Sequence, residues 1–132
     1  DHYGRAMASY GTFISACGFD YNGPEGYIRF APKWDADNFK APFTAAEGWG
    51  VYSQLRSANG QEHSIQVKTG FLQLKTISMD KMDDQPVKQV DVLVGQQKIS
   101  SRFILEDKRV TIQLTSVCRI QAGEDIKISI LS

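Results

Sequence analysis

The sequence predicts a mostly β protein: an antiparallel β-sandwich or sheet module preceded by one long α-helix. Apolar and polar residues alternate in many short segments after residue 47, which is the two-residue period of half-buried strands. Turn residues separate these segments at short intervals. Only residues 2–17 place apolar side chains at helical spacing. The chain has 132 residues, of which 42% are hydrophobic, so it is one domain in size and can build a core.

Residues 1–18 are predicted to form the helix. Asp1 can cap its N-terminus, and Gly18 is placed to end it. Gly4 and Gly11 each cost about 1 kcal/mol relative to alanine inside a helix, so this helix needs tertiary partners. Because no second long helix is predicted, we expect it to pack against sequence that this chain lacks. Its apolar stripe consists of Met7, Tyr10, Ile14 and Cys17.

Residues 19–47 are predicted to connect the helix to the β region. Residues 22–26 favour a turn, because they combine asparagine, glycine and proline. A short strand follows at Tyr27–Phe30. Residues 35–38 can start a single helical turn before Phe39.

Residues 48–132 are predicted to form the antiparallel β-rich module. Asn59-Gly60 favours a hairpin turn, because this pair tolerates positive φ. The predicted strands cover residues 48–55, 64–68, 71–77, 90–94, 99–105, 110–114 and 126–130.

Composition excludes several classes of function. The chain has 15 Lys and Arg residues and 15 Asp and Glu residues. Its net charge is therefore zero, and no overall electrostatic field attracts nucleic acid or an anionic membrane. The longest apolar runs are a few residues, far short of the roughly 20 that a membrane span needs. Cys17 and Cys118 are too few for a disulfide scaffold or a structural zinc site, and their apolar neighbours predict buried free thiols.

No set of catalytic residues, metal ligands or cofactor motifs stands out. His63 follows a predicted hairpin turn, so we expect it to be a solvated loop residue. Asp35 begins an acidic run that lacks the glycine and glutamate of a calcium loop, and a helix cap is the better interpretation. Asp80, Asp83 and Asp84 are predicted to lie in a charged, solvated loop.

Two features are compatible with sugar binding. Arg5 lies in an otherwise small and apolar helix, where its guanidinium group suits hydrogen bonds to sugar hydroxyls or a carboxylate, although an ordinary ion pair is an equal alternative. The second feature is aromatic, because four rings could form a stacking platform. We favour the alternative, in which Trp49 and Tyr52 belong to the core and Trp34 fills the joint between regions. The four aromatic residues are Tyr27, Trp34, Trp49 and Tyr52.

The first two fifths of the chain resemble a known family. Four segments in order carry the resemblance: residues 1–10 (DHYGRAMASY), 16–24 (ACGFDYNGP), 30–33 (FAPK) and 38–50 (NFKAPFTAAEGWG). They are similar to the C-terminal end of glycoside hydrolase family 116, the β-glucosidases and relatives of non-lysosomal glucosylceramidase. The resemblance covers residues 1–54, and beyond them only a strand-rich tail is similar.

The resemblance implies that the helix is the last one of an (α/α)6 barrel. It also implies that both catalytic carboxylates of the family lie upstream of this chain. Retaining hydrolysis needs the two carboxylates about 5–5.5 Å apart. By the same resemblance, Arg5 binds substrate hydroxyls beside the scissile bond, and no catalytic residue, metal ligand or cofactor site falls in the chain.

The sequence as a whole therefore predicts the C-terminal portion of a glycoside hydrolase that is inactive alone. Its partners would be a β-glucoside, bound through the parent protein, and a helical barrel. Two alternatives stay open: a non-catalytic carbohydrate-binding or protein-interaction sandwich, and a small subunit that completes another chain's active site.

Overall fold

The computed structural model describes residues 19–32, 37–45, 47–82 and 86–132. The helix predicted over residues 1–18 lies outside these ranges. Within them the chain is built of strands, and no described helix is long and apolar enough to cross a membrane. The ten described strands are β1 (Asp20–Asn22), β2 (Tyr27–Phe30), β3 (Asn38–Thr44), β4 (Gly48–Ser57), β5 (Gly60–Asp80), β6 (Gln89–Val94), β7 (Gln97–Ile99), β8 (Ser101–Glu106), β9 (Arg109–Gln121) and β10 (Asp125–Leu131).

The strand β5 belongs to two sheets. Its first half pairs with β4 and β10 in a first sheet of order β3-β4-β5-β10-β6-β7. Its second half pairs with β2 and β9 in a second sheet of order β1-β2-β5-β9-β8. Twenty-one extended residues would span ~70 Å, whereas a domain of this size has a radius of gyration of about 14 Å. The strand must therefore change direction, and it does so at Gly70, where φ is +78°.

The mostly β prediction is confirmed, but the sheet is not wholly antiparallel. Strand β2 runs parallel to β5, with Tyr27 opposite Thr76 and Phe30 opposite Met79. Parallel neighbours need a long crossover connection, and here the crossover passes through β3 and β4. Alternation of apolar residues is the same in both kinds of pairing, so the sequence pattern could not reveal this direction.

The buried faces of the two sheets meet in one hydrophobic cluster. Phe30 of the second sheet stacks on Tyr52 of the first, with ring centroids 3.9 Å apart. Phe43 meets the edge of Phe30 at 5.5 Å. Both sheets contribute fully buried aliphatic residues around this stack, such as Ile65 and Ile112. Burying this surface is the main stabilising contribution to the fold.

Several predicted elements differ in extent. The predicted strands at 64–68 and 71–77 are continuous in β5, and the one at 99–105 is divided at Ser100. A helical turn was predicted for residues 35–38, but Asn38 begins the edge strand β3, while 33–36 lie outside the described ranges. Pro42 fits there because an edge strand leaves one side of its backbone outside the ladder.

Gly50 allows β4 and β5 to approach closely, and replacing it tests how much this close contact stabilises the fold. A Cβ at Gly50 would collide with the backbone carbonyl of Gln66. We expect Gly50→Ala to lower the free energy of unfolding by about 2–4 kcal/mol. Gly95→Ala is the control: its Cβ would enter open space, and only the positive φ of 61° opposes it, at about 1 kcal/mol. Urea denaturation measures the free energy of unfolding of both variants. Equal losses in the two variants would contradict a tight contact at Gly50.

Candidate functional site

Three of the four segments that carry the family resemblance contribute described residues to one corner, where the two sheets meet. Phe19 packs on Phe30 and Phe43, with ring centroids 5.1 and 5.3 Å away. Gly23 lies against the side chain of Glu47, so closely that a Cβ at Gly23 would overlap a carboxylate oxygen. We call Phe19, Tyr21, Gly23, Phe43 and Glu47 the joint cluster. It lies directly after residue 18, where the predicted helix ends.

Glu47 is the unusual member of the joint cluster. Its Oε2 atom is buried and has no hydrogen-bond partner among the described residues. Buried polar atoms are rarely left unpaired, because losing water without a replacement costs about 1–3 kcal/mol. Burial raises the pKa of Tyr21, the backbone N–H of Gln73 opposes this by donating to the phenol oxygen, and the charge of Glu47 raises the pKa further. The corner therefore holds one buried carboxylate oxygen, Glu47 Oε2, that lacks a donor among the described residues.

Trp49 lies next to this corner and corrects the aromatic prediction. Its side chain is 42% exposed, so it does not belong to the core, whereas Tyr52 is buried as expected. The ladder shifts register between Trp49 and Gly50, and from there the even-numbered residues of β4 face the interior. Tyr27 is half-buried in the second sheet, and Trp34 lies outside the described ranges. Tyr27, Trp49 and Tyr52, which the structure describes, do not form one platform, because Tyr52 is buried and Trp49 is exposed on the outer side of β4.

His63 is not the solvated loop residue that the sequence predicted. It lies within β5 and is 2% exposed. Its Nδ1 atom is 2.7 Å from the Tyr52 hydroxyl, and its Nε2 atom is 3.1 Å from Gln61 Oε1. Burial, with a smaller effect from the charge of Arg56, lowers its pKa to about 3. The ring is therefore neutral at physiological pH and has no access to a substrate.

The contacts of His63 place a hydrogen-bonding group beside each ring nitrogen. Gln61 Oε1 faces Nε2, and the Tyr52 hydroxyl faces Nδ1. The Tyr52 hydroxyl also donates to Gln54 Oε1 at 2.7 Å. Gln61 Nε2 in turn donates to the carbonyl of Asp80 at 3.3 Å. This network links β4 and the start of β5 to the far end of β5, and it contains no exposed nucleophile.

The other residues that the sequence analysis singled out do not lie together in one site, or they lie outside the described ranges. Asp80 forms an ion pair with Arg29 at 2.6 Å, so it is not a freely solvated loop residue. Cys118 is a half-buried free thiol, and burial raises its pKa. No group of three or more His, Cys, Asp or Glu side chains able to hold a metal ion occurs in the described part of the chain. Residues outside the described ranges include Arg5, Cys17, Asp83 and Asp84.

Comparison with known proteins gives distant structural likenesses only. No family profile and no curated protein matches the chain. Among solved structures, the fold is similar to part of the α-L-rhamnosidase of Dictyoglumus thermophilum, with 14% identity and a TM-score of 0.42. The likeness covers 87% of this chain and only 12% of the rhamnosidase. At this level it carries no argument about function, and the resemblance to family 116 stays a prediction.

The buried His63 makes the stability of the chain depend on pH. The pKa in the folded state is about 3, against an ordinary 6.5, so between these values the unfolded state binds one more proton. Stability is therefore lost as pH falls below 6.5, with a slope of up to about 1.4 kcal/mol per pH unit. We expect this contribution to the slope to disappear in His63→Gln. Urea denaturation at pH 7, 6, 5 and 4 gives the change in the free energy of unfolding with pH for the wild type and for His63→Gln. Identical slopes for the two proteins would contradict the lowered pKa of His63.

Proposed function

We propose that this chain is the C-terminal portion of a glycoside hydrolase related to the glucosylceramidase-type β-glucosidases. Residues 1–18 contribute Arg5 to the sugar pocket, and the β module supports the preceding helical barrel. The chain alone is inactive, because the family's catalytic carboxylates lie upstream of the segments that this sequence resembles. Its function is then to bind the glucosyl group and to hold the barrel's last helix in place.

The convergence at the joint cluster supports this proposal most strongly. Segments 16–24, 30–33 and 38–50 carry the resemblance, although they are separated in the sequence. Their described residues Phe19, Phe30 and Phe43 pack on one another at the corner that follows residue 18. In this proposal these residues anchor the start of the β module to its core, next to the point where the helix would join it.

Glu47 gives the joint cluster an unpaired polar atom that a neighbouring unit could satisfy. Its buried Oε2 atom lacks a donor within the described residues. A cationic or N–H side chain from the barrel, or from residues 1–18, would satisfy it. Such a charge-assisted bond is about twice as strong as a neutral one. Docking of the barrel against the β module would then complete the hydrogen bonding of this corner.

The proposed chemistry of Arg5 follows from its side chain. A guanidinium group has five N–H donors in a rigid plane and stays charged at any pH at which the protein is folded. It can donate two hydrogen bonds to neighbouring hydroxyl oxygens of one glucosyl unit. This holds the anomeric carbon in line with the two carboxylates, and such positioning raises the rate without any proton transfer by Arg5.

Replacing Arg5 tests the proposal in the complete polypeptide that the gene encodes. We expect Arg5→Ala to reduce kcat/KM for an aryl β-glucoside by about 10- to 100-fold, because one charged hydrogen-bond donor contributes about 1.5–3 kcal/mol. The control is Arg109→Ala, which removes an exposed arginine of β9. Both variants should melt at the wild-type temperature. Normal kinetics in Arg5→Ala would contradict the sugar-binding role.

The exposure of Trp49 favours a second candidate, a non-catalytic carbohydrate-binding module. Trp49 and Leu55 lie on the outer face of β4 and are both exposed. An exposed tryptophan can stack on the apolar face of a sugar ring. In this alternative the chain binds saccharides without any catalytic partner.

Titration of the 132-residue chain with oligosaccharides separates the two candidates. The glycosidase portion should show no saturable change in tryptophan emission, because its sugar pocket is incomplete. A binding module should show saturable quenching that disappears in Trp49→Ala and persists in Trp34→Phe, which removes the other tryptophan. Saturable quenching with that pattern would overturn the first proposal in favour of the second.

A further inference from the structure

A polar concavity lies in the second sheet, beside the start of β8 and the irregular stretch of β9. It occupies about 600 Å³. We call it the β8–β9 basin. Its lining shares no residue with the joint cluster or with the family resemblance, although the backbone N–H groups of Lys75 and Thr76 donate to the carbonyl of Gly26 in the neighbouring turn. The basin is lined by Lys75, Thr76, Ser100, Ser101, Arg102, Gln113, Leu114 and Thr115.

An irregular stretch of β9 creates the basin. Leu74 of β5 lies opposite Cys118, whereas Thr76 lies opposite Gln113. One residue of β5 therefore faces residues 114–117 of β9, and the surplus chain bulges away from the sheet. Bulges of this kind re-aim side chains and are frequent beside binding sites. The bulge is fixed, because the carbonyl of Ser100 accepts from both the backbone N–H and the hydroxyl of Thr115.

Two cations in the basin are held by neutral groups only. Lys75 Nζ donates to the carbonyl of Thr115 at 3.0 Å, and Arg102 Nε donates to Gln113 Oε1 at 2.9 Å. No carboxylate lines the basin. The ion pairs found in the described ranges involve other residues: Arg29 with Asp80, Lys98 with Asp91, and Lys127 with Asp125. The positive charges of Lys75 and Arg102 are therefore uncompensated at a concave surface, where they reinforce each other.

Hydroxyl groups complete the donor set. Thr76, Ser100 and Ser101 also line the concavity, and their hydroxyls make no hydrogen bond to another residue of the described part of the chain. A hydroxyl can donate to an anionic oxygen. The remaining N–H groups of the Arg102 guanidinium can also donate, in a planar arrangement that matches an oxyanion. The basin thus offers five donor groups and a charge of +2.

We propose that the β8–β9 basin binds an oxyanion: a phosphate, sulfate or carboxylate group carried by a small molecule. Lys75 supplies a point charge at one wall, and Arg102 supplies a bidentate contact at the other. The three hydroxyls orient the remaining oxygens of the ligand. This site is independent of the proposed glycosidase function and remains if that function is disproved.

Two-dimensional NMR of the 132-residue chain tests the site directly. The probes are sodium phosphate, sodium sulfate and sodium glucuronate, each added at constant ionic strength in place of chloride. We expect saturable amide shifts confined to residues 75–76, 100–102 and 113–115 with at least one probe. Saturation by phosphate or sulfate alone indicates a tetrahedral anion, whereas a preference for glucuronate indicates an acidic sugar. Glucose should produce no shifts there, because it lacks a charge.

Charge-removing variants assign the binding to the two cations. The double variant with Lys75→Gln and Arg102→Gln should bind at least 10-fold more weakly than wild type. A control double variant with Lys98→Gln and Lys127→Gln, which removes the same charge from the first sheet, should bind as wild type does. The single variant Arg102→Gln alters an exposed side chain, and it should weaken binding even if the double variant fails to fold. Shifts that do not saturate, or equal affinity in the basin and control variants, would overturn the proposal.

Discussion

The fold depends on one strand that changes sheets. Strand β5 pairs with four neighbours along its 21 residues, and its turn at Gly70 separates the first sheet from the second. Gly70 has positive φ, and a Cβ there would collide with the backbone of Glu47 and Gly48. Only glycine satisfies both conditions at low cost. Because β5 turns at this point, Phe30 of one sheet can stack on Tyr52 of the other.

The same change of direction explains the buried polar network. Gln61 and Asp80 are 19 residues apart near opposite ends of β5, yet the side chain of Gln61 donates to the carbonyl of Asp80. The network of His63, Tyr52 and Gln61 therefore links the β4–β5 hairpin to the far end of the same strand. A core histidine is tolerated because both ring nitrogens have partners. Burial of His63 destabilises the folded state only in acid, because the buried ring then resists protonation.

The strand also separates two candidate sites with different chemistry. The joint cluster contains one buried carboxylate oxygen, Glu47 Oε2, without a donor among the described residues, so it suits a cationic or N–H group. The β8–β9 basin presents cations without a carboxylate, so it suits an anionic ligand. The first lies near Phe19, at the start of the described residues, and the second lies where the β5–β9 ladder is interrupted.

The sequence by itself determined the mostly β class and the position of most strands, because alternation and turn residues such as Asn59-Gly60 are local signals. It did not place His63 or Trp49, since the segment around His63 is polar in sequence and Trp49 is exposed because the odd-numbered residues of β4 face outward. Nor could it predict the parallel pairing of β2 or the basin around Lys75 and Arg102. These features arise from contacts between residues distant in sequence, and only the tertiary structure decides which strands become neighbours and which charges lack a partner.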